Sequence, residues 1–275
     1  MILPKISSRK GEYFLKGITR SANPIEEYSK SLHHGLVRQG YPGVNSMSFN
    51  CDELTNIHNG KHILFSGCSN TYGVGLEKEE TWAYLTYLKL NNIEKCSGFF
   101  NIASPGYSII NIVIDIFRYC NDYGNPDVIF INLPDQLRTI EFMQVSDMKG
   151  GFKPGIGLKH GDESIINETK FLNYNLYSML ESFCKASNIS LYSFSWDNWE
   201  GKDSENNTGI LFENLKLETF NNLKYFEMAD RLFEYSKTNK DPYFERARDG
   251  AHFGTGYQLV WSDFIFERYL NDRKN

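Results

Sequence analysis

The sequence predicts an α/β fold of three layers, in which a mostly parallel sheet lies between two layers of helices. From residue 61 onward, short apolar runs typical of buried strands alternate with segments of helical periodicity. Strands that are joined through helices run parallel, and the helices then cover both faces of the sheet. The loops rich in glycine and polar residues follow strands, and in such sheets the site forms at the carboxyl ends of the strands.

The predicted elements follow the order strand, helix, strand, helix, strand, long loop, helix, strand, loop and helix. The strands are predicted at residues 62–65, 97–102, 128–131 and 189–194. The helices are predicted at residues 79–90, 108–119, 168–185 and from 255 or 256 to 270, with helical pieces in 211–234. The clearest strand is 128–131, because its consecutive apolar residues directly follow a proline-containing turn signal.

The first 60 residues differ from the rest of the chain, because they are polar and lack strong periodicity. We predict that residues 1–60 form an N-terminal extension packed on a main domain of residues 61–275. Within that domain, residues 134–166 are glycine-rich and show no regular periodicity. A loop of this length inside a domain is usually functional or mobile.

Composition and charge exclude several classes of partner. The chain has 275 residues, of which 41% are hydrophobic, and a formal net charge of −5. It carries no basic block, which argues against nucleic acid as the main partner. Its apolar runs are too short for a membrane span, and residues 1–13 lack the apolar core of a signal peptide. We therefore expect no membrane partner and a cytoplasmic or virus-encoded protein, and the oligomeric state is left open.

The cysteines and histidines show no pattern of metal ligation. The five cysteines have wide, irregular spacing without a CxxC pair, and the six histidines lack ligand spacing. Neither a zinc site nor a disulfide framework is indicated. We expect reduced, mostly buried thiols and no metal or other cofactor.

The stretch from residue 61 to 75, KHILFSGCSNTYGVG, begins as an apolar run and breaks abruptly into small and polar residues. This pattern predicts a buried strand that leads into a tight turn, with Ser69 exposed just past the strand end. A serine nucleophile needs that placement. A phosphate-binding loop is the alternative for a glycine-rich turn, but this stretch has neither a Walker lysine nor GxGxxG spacing.

A second candidate constellation lies near the C-terminal end, at residues 248–254, RDGAHFG. Asp249 precedes His252 by three residues, so one turn of loop can hold the carboxylate near the imidazole. The aspartate can then fix the tautomer of the ring and stabilise the imidazolium that forms when the histidine takes a serine proton. We expect Gly250 and Gly254 to give the loop the freedom to point both side chains the same way.

These two stretches resemble sequence blocks of the SGNH (GDSL-type) hydrolases. The segment GCSNTYG at 67–73 is similar to the nucleophile block, and DGAH at 249–252 is similar to the C-terminal DxxH block. The two stand in the order of the family, and the resemblance covers roughly residues 60–272. It implies a three-layer α/β/α sandwich with a flavodoxin-like, mostly parallel sheet.

By that resemblance, Ser69 is the nucleophile, His252 is the general base and then the general acid, and Asp249 is the orienting partner of the histidine. The oxyanion is held by the backbone N–H groups of Ser69 and Gly106 together with a side-chain amide. Gly106 is assigned because the segment NIASPGYS, at 101–108, fits the second block of the family.

The chain departs from the family pattern at two places. Cys68 replaces the usual aspartate before the nucleophile, a change that should not remove the reaction. The third block of the family has a glycine followed two residues later by an asparagine donor, whereas residues 132–138, NLPDQLR, contain no glycine. Setting Pro134 at the glycine position makes Gln136 the donor, through the same amide chemistry. Asn132 is the alternative donor if the strand ends early.

The resemblance implies a serine hydrolase that acts on ester bonds through an acyl-enzyme intermediate. Small residues at the turn and polar, aromatic later loops favour a short acyl group on a polar carrier, such as an O-acetylated sugar. The expected partner is therefore a small-molecule or carbohydrate ester. Two other functions stay open: a catalytically silent carbohydrate-binding module of the same fold and an O-acyltransferase.

Four further residues are candidates for contact with the substrate. Trp196 and Trp199 can form a sugar-stacking platform, or else belong to the core or its rim. Arg138 and Arg248 flank the site, and either can receive an anionic group of the substrate. A surface salt bridge is the more common role of such an arginine.

Overall fold

The structure of the protein is a computed structural model, and it describes residues 49–54, 59–134, 145–146, 152–153, 163–195, 225–248, 250 and 252–274. In this part of the chain, the predicted three-layer α/β fold is confirmed. A parallel sheet lies between helices, and the apolar core fills the space between the sheet and the helices.

The strands, in chain order, are β1 (Ile63–Gly67), β2 (Phe100–Asn101), β3 (Val128–Leu133), β4 (Val145–Ser146), β5 (Phe152–Lys153) and β6 (Ser190–Ser195). Four of them form the central sheet in the order β2-β1-β3-β6, and every pairing in it is parallel. β4 pairs with β5 in an antiparallel ribbon. All residues of β1 and β3 are buried, as expected for central strands of a sheet covered on both faces.

The second strand is shorter than the one predicted at residues 97–102. Only Phe100 and Asn101 have strand pairing with β1. The chain nevertheless stays next to β1, because the N–H group of Ile102 donates to the carbonyl of Phe65 at 2.9 Å.

The helices are α1 (Ser69–Tyr72), α2 (Trp82–Ile93), α3 (Ile109–Tyr123), α4 (Glu163–Ala186), α5 (Tyr225–Thr238) and α6 (Thr255–Asp272), and a 3₁₀ turn at Lys78–Glu80 precedes α2. The predicted helices at 79–90, 108–119, 168–185 and 255–270 are confirmed within a few residues at each end. Of the stretch 211–234, the part before residue 225 lies outside the described residues. None of the described helices is long and apolar enough to cross a membrane.

One face of the sheet carries a row of aromatic rings. Phe65, Phe130 and Tyr192 lie opposite one another on three adjacent strands, and each neighbouring pair of rings stacks with its centroids 5.3 Å apart. Trp82 of α2 packs edge-on against Phe65 at 5.6 Å, and Tyr269 of α6 packs against Phe130 at 6.1 Å. Helices α2 and α6 therefore cover this face.

The opposite face is covered by α3 and α4. The buried Nε2 of His62, just before β1, lies 2.6 Å from the hydroxyl of Tyr119 on α3. Tyr177 of α4 forms a hydrogen bond with Ser193 of β6. Side chains alternate between the faces along each strand, so these contacts and the aromatic row belong to opposite layers.

The strand order places a topological switch point between β1 and β3. The chain leaves β1 toward β2 on one side, and β3 then pairs with the other side of β1. At the carboxyl ends of these two strands, Gly67 lies opposite Asn132. Ligands of open parallel sheets bind in the crevice at such a point, so the fold directs attention to the residues that follow β1 and end β3.

The described segment 49–54 contributes to the same core. Phe49, Cys51 and Leu54 are buried in it, and the N–H group of Asp52 donates to the carbonyl of Phe99 at 3.0 Å. Residues 1–48 lie outside the described part of the chain, so the N-terminal extension of residues 1–60 stays a prediction.

Candidate active site

Ser69 is the first residue of α1 and follows the end of β1 by two residues. The N–H groups of Thr71 and Tyr72 donate to the carbonyl of Cys68 at 3.1 and 3.0 Å, so the strand passes almost directly into a helical turn. Only 9% of Ser69 is exposed. The serine is thus less accessible than the sequence predicts, because the turn that carries it is packed from several sides.

The sharp turn requires a glycine at position 67. A Cβ atom there would lie 2.2 Å from Oγ1 of Thr71 and 2.8 Å from the carbonyl oxygen of Asn132, and both distances are too short for a side chain. The absence of a side chain at Gly67 lets the chain pass close to Thr71 of α1 and Asn132 of β3. This brings the start of α1 against the end of β3.

Helix α1 has one turn, and side chains from three other segments hold it. Nδ2 of Asn101 donates to the carbonyl of Thr71 at 2.9 Å, and Nδ2 of Asn50 donates to the carbonyl of Tyr72 at 2.8 Å. Nε1 of Trp82 donates to Oγ1 of Thr71 at 3.3 Å. The last carbonyls of a helix have no partner within it, so the two amides satisfy groups that burial would otherwise leave unpaired.

Asn101 should be important for stability, because it makes two buried hydrogen bonds. Its Oδ1 accepts from the N–H group of Ala103 at 3.1 Å, in addition to the bond to Thr71. We expect Asn101→Ala to lower the free energy of unfolding by about 2–4 kcal/mol, since two buried groups lose their partner. Urea unfolding measures this change in the free energy of unfolding. The control is Asn175→Ala, which removes the hydrogen bond from the side-chain amide to the carbonyl of Phe171 at an exposed site. It should change the free energy of unfolding by less than about 0.5 kcal/mol.

The loop after β2 brings Gly106 to the same end of the sheet. The N–H group of Tyr107 donates to the carbonyl of Ser104 at 3.2 Å, and Gly106 has a φ of 78°, as the third position of a type II turn requires. The N–H group of Ser104 lies 3.4 Å from the carbonyl of Gly67. The turn that carries Gly106 is therefore joined to the end of β1.

Asn132 is fully buried near the end of β3. Neither Nδ2 nor Oδ1 of its side chain has a hydrogen-bond partner among the described residues. Its backbone carbonyl lies against Gly67, two residues before Ser69. An amide that is buried without a partner is rare in proteins, and each such group calls for an explanation.

His252 lies in a closed loop before α6. Its carbonyl accepts from the N–H group of Ala247 at 2.9 Å, and the N–H group of Gly250 donates to the carbonyl of Ala247 at 2.8 Å. Gly250 has a φ of 71°, which agrees with the predicted need for a flexible residue. Gly254 is required for a different reason than predicted: a Cβ atom there would lie 2.0 Å from the carbonyl oxygen of Tyr243.

Of the residues predicted for the site, the structure describes Ser69, Gly106, Asn132, Arg248 and His252. It brings Asn132 and the turn that carries Gly106 next to Gly67, at the start of the β1–α1 turn. The other predicted residues lie outside the described part of the chain: Asp249, Gln136, Arg138, Trp196 and Trp199.

Sequence reasoning missed the two asparagines that support α1. Asn50 lies in a stretch without periodicity, so nothing in the sequence connects it with the turn at residue 72. Asn101 gives a clearer signal, since it is a polar residue within a predicted buried strand. A polar residue in that position needs a partner, and the carbonyl of Thr71 in α1 supplies one.

Four of the described cysteines are poor nucleophiles. Burial raises the pKa of the Cys51, Cys120 and Cys184 thiols to about 12 and that of Cys96 to about 11. Cys68 is fully buried in the core, in agreement with the expectation of mostly buried thiols. Within the described ranges, no group of three or more His, Cys, Asp or Glu side chains is arranged to hold a metal ion.

Comparison with known proteins gives distant structural likeness only. No family model matches the chain, and no curated protein sequence matches it. Among solved structures, the chain is similar to the psychrotrophic esterase EstA from Pseudoalteromonas sp., in a crystal structure inhibited by monoethylphosphonate. The identity is 15% and the TM-score 0.40, with 76% of this chain and 98% of that chain covered. At that level the likeness carries no argument about activity, and the fold is assigned from the parallel sheet itself.

Proposed function

We propose that the protein is a serine esterase that cleaves a short acyl ester through an acyl-enzyme intermediate. One observation carries the proposal: Ser69 begins a one-turn helix at the switch point of a parallel sheet, close to a buried amide without a partner among the described residues. A nucleophile at the end of a strand and a donor left for the substrate are both required for acyl transfer.

In this proposal, Oγ of Ser69 attacks the carbonyl carbon of the ester while His252 takes the hydroxyl proton. The resulting tetrahedral oxyanion collapses, the bond between the acyl carbon and the alcohol oxygen breaks, and His252 gives its proton to the leaving alcohol. Water, activated by the same histidine, then attacks the acyl-enzyme and releases the acid and the free serine. Asp249 holds the imidazole in the required tautomer throughout.

The oxyanion is held by the backbone N–H groups of Ser69 and Gly106 and by a side-chain amide. We assign that amide to Asn132, the alternative in the sequence analysis, because it is buried beside Gly67 and both of its amide atoms lack a partner among the described residues. Each donor in such a site contributes about 10²–10³ in rate.

The acyl group is expected to be short. Tyr72, Val74 and Ala103 form a buried apolar cluster at the end of α1 and in the loop after β2, next to the proposed oxyanion site. Close packing there disfavours a long acyl chain. The polar composition of residues 139–166 and the tryptophans at 196 and 199 support a polar carrier such as an O-acetylated sugar.

The proposal is tested with p-nitrophenyl esters of increasing acyl length, followed by O-acetylated sugars. We expect kcat/KM to fall by about tenfold or more from acetate to octanoate, since each added methylene must find space in a packed site. A rise with chain length would contradict the short-acyl assignment.

A fluorophosphonate probe distinguishes the esterase from a catalytically silent carbohydrate-binding module. The silent module is favoured by the third sequence block, which lacks the glycine of the family. The esterase is labelled at Ser69, as located by peptide mass spectrometry. A folded protein that binds O-acetylated sugars but is neither labelled nor hydrolytic would overturn the proposal. With mixed alcohol acceptors, free acid as the main product supports hydrolysis, and acylated acceptor identifies an O-acyltransferase.

A further inference from the structure

Arg248 connects the loop of His252 with the segment that follows the nucleophile. Its guanidinium donates two hydrogen bonds to the carboxylate of Glu80, at 2.5 and 2.7 Å. The guanidinium also lies over the ring of Tyr243, 4.6 Å from its centroid. The backbone N–H group of Arg248 donates to the carbonyl of Gly75 at 3.1 Å. The salt bridge predicted as the more common role of this arginine is therefore present.

Gly75, the backbone partner of Arg248, is linked to Ser69 through a short hydrogen-bonded stretch of chain. The carbonyl of Ser69 accepts from the N–H groups of Gly73 and Val74 at 2.9 and 3.1 Å, so the chain is ordered by hydrogen bonds from the serine almost to Gly75. Glu80 is fixed independently, because its Oε2 accepts from the N–H group of Glu77 at 2.8 Å in a capping box. The carboxylate thus has little freedom to follow the arginine.

The other side of the connection leads to the histidine. Arg248 directly follows Ala247, whose N–H group donates to the carbonyl of His252 at 2.9 Å. Arg246 and Phe253 form a β-bridge that closes the base of the same loop. A displacement of Arg248 therefore moves the backbone that carries His252. The hydrogen bonds to Glu80 also raise the pKa of Arg248, so the guanidinium stays charged in the assembled loop.

We propose that Arg248 and Glu80 form a positioning pair that sets the distance and orientation between Ser69 and His252, an inference that rests on the proposed esterase function. The two catalytic side chains lie on segments far apart in sequence, and this pair joins those segments with fixed fork geometry. Reacting groups tolerate little displacement, and a shift of about 1 Å can reduce the rate by about 10².

The test compares the disruptive variant Arg248→Met, the conservative variants Arg248→Lys and Glu80→Gln, and the double variant Arg248→Met/Glu80→Gln. For Arg248→Met we expect kcat for p-nitrophenyl acetate and the rate constant of fluorophosphonate labelling to fall by about 10–100-fold, with KM within about twofold. The conservative variants should keep part of the activity. The double variant should have no lower kcat than Arg248→Met alone, because the two substitutions remove the same interaction.

The matched control is Lys89→Met. Lys89 pairs with Asp263 across α2 and α6, and its side chain is 28% exposed, compared with 18% for Arg248. This variant should lower the melting temperature without changing kcat by more than about twofold. The inference is overturned if folded Arg248→Met retains wild-type kcat, or if Lys89→Met loses as much activity at an equal loss of stability. A wild-type protein that neither hydrolyses esters nor is labelled would instead refute the esterase proposal itself.

Discussion

Ser69→Ala should lower kcat/KM for p-nitrophenyl acetate by about 10⁴-fold or more and abolish labelling by a fluorophosphonate. The substitution removes the atom that forms the acyl-enzyme, and a water molecule cannot take its place in the same geometry. The measurement is steady-state hydrolysis with protein concentrations high enough to detect a 10⁵-fold loss, together with mass spectrometry of the labelled protein. The hydrogen bonds that order the chain after Ser69 are accepted by its backbone carbonyl, which alanine keeps, so the variant should remain folded.

The chain offers a matched serine for this experiment. Ser66 lies in β1, three residues before Ser69; its side chain is fully buried and its hydroxyl has no partner among the described residues. Ser66→Ala therefore removes the same group from the same segment and should preserve activity within about threefold, with unchanged or slightly higher stability. Equal rates for Ser69→Ala and the wild type would eliminate the proposed triad.

The core strands were predictable from the sequence because burial on both faces leaves a continuous apolar run. β1 and β3 show this signal, and both are fully buried. β2 was predicted too long, since the apolar run at 97–102 reflects burial, whereas strand pairing with β1 extends over Phe100 and Asn101 only. A run of apolar residues indicates that a segment is buried in the core. Whether the segment also forms strand hydrogen bonds depends on the direction of its backbone.

The candidate site likewise has one part that the sequence predicts and one part that only the structure shows. The position of Ser69 follows from local sequence, because an apolar run that ends in small residues specifies a strand and a turn. The contacts that hold the turn are not local: Asn50, Asn101 and Arg248 reach it from segments that only the folded chain brings together. A single sequence contains no signal that pairs such residues, so their roles emerge from the structure.

Asn132 offers the sharpest test of the oxyanion site, since activity and stability should change in opposite directions. We expect Asn132→Leu, which keeps the branching and the number of non-hydrogen atoms of the side chain, to lower kcat by about 10²–10³ with little change in KM. The same variant should unfold at a higher urea concentration. It removes a buried amide that has no partner among the described residues and replaces it with an apolar group suited to the core.

Gln136→Ala is the matching variant, because the register of the third block allows either residue to be the donor. If Asn132 is the donor, Gln136→Ala retains kcat within about threefold, and the loss is confined to Asn132→Leu. The reverse pattern would assign the oxyanion to Gln136 and leave Asn132 as a structural residue. Burying an amide without a partner costs stability, and a role in the reaction gives a reason for that cost.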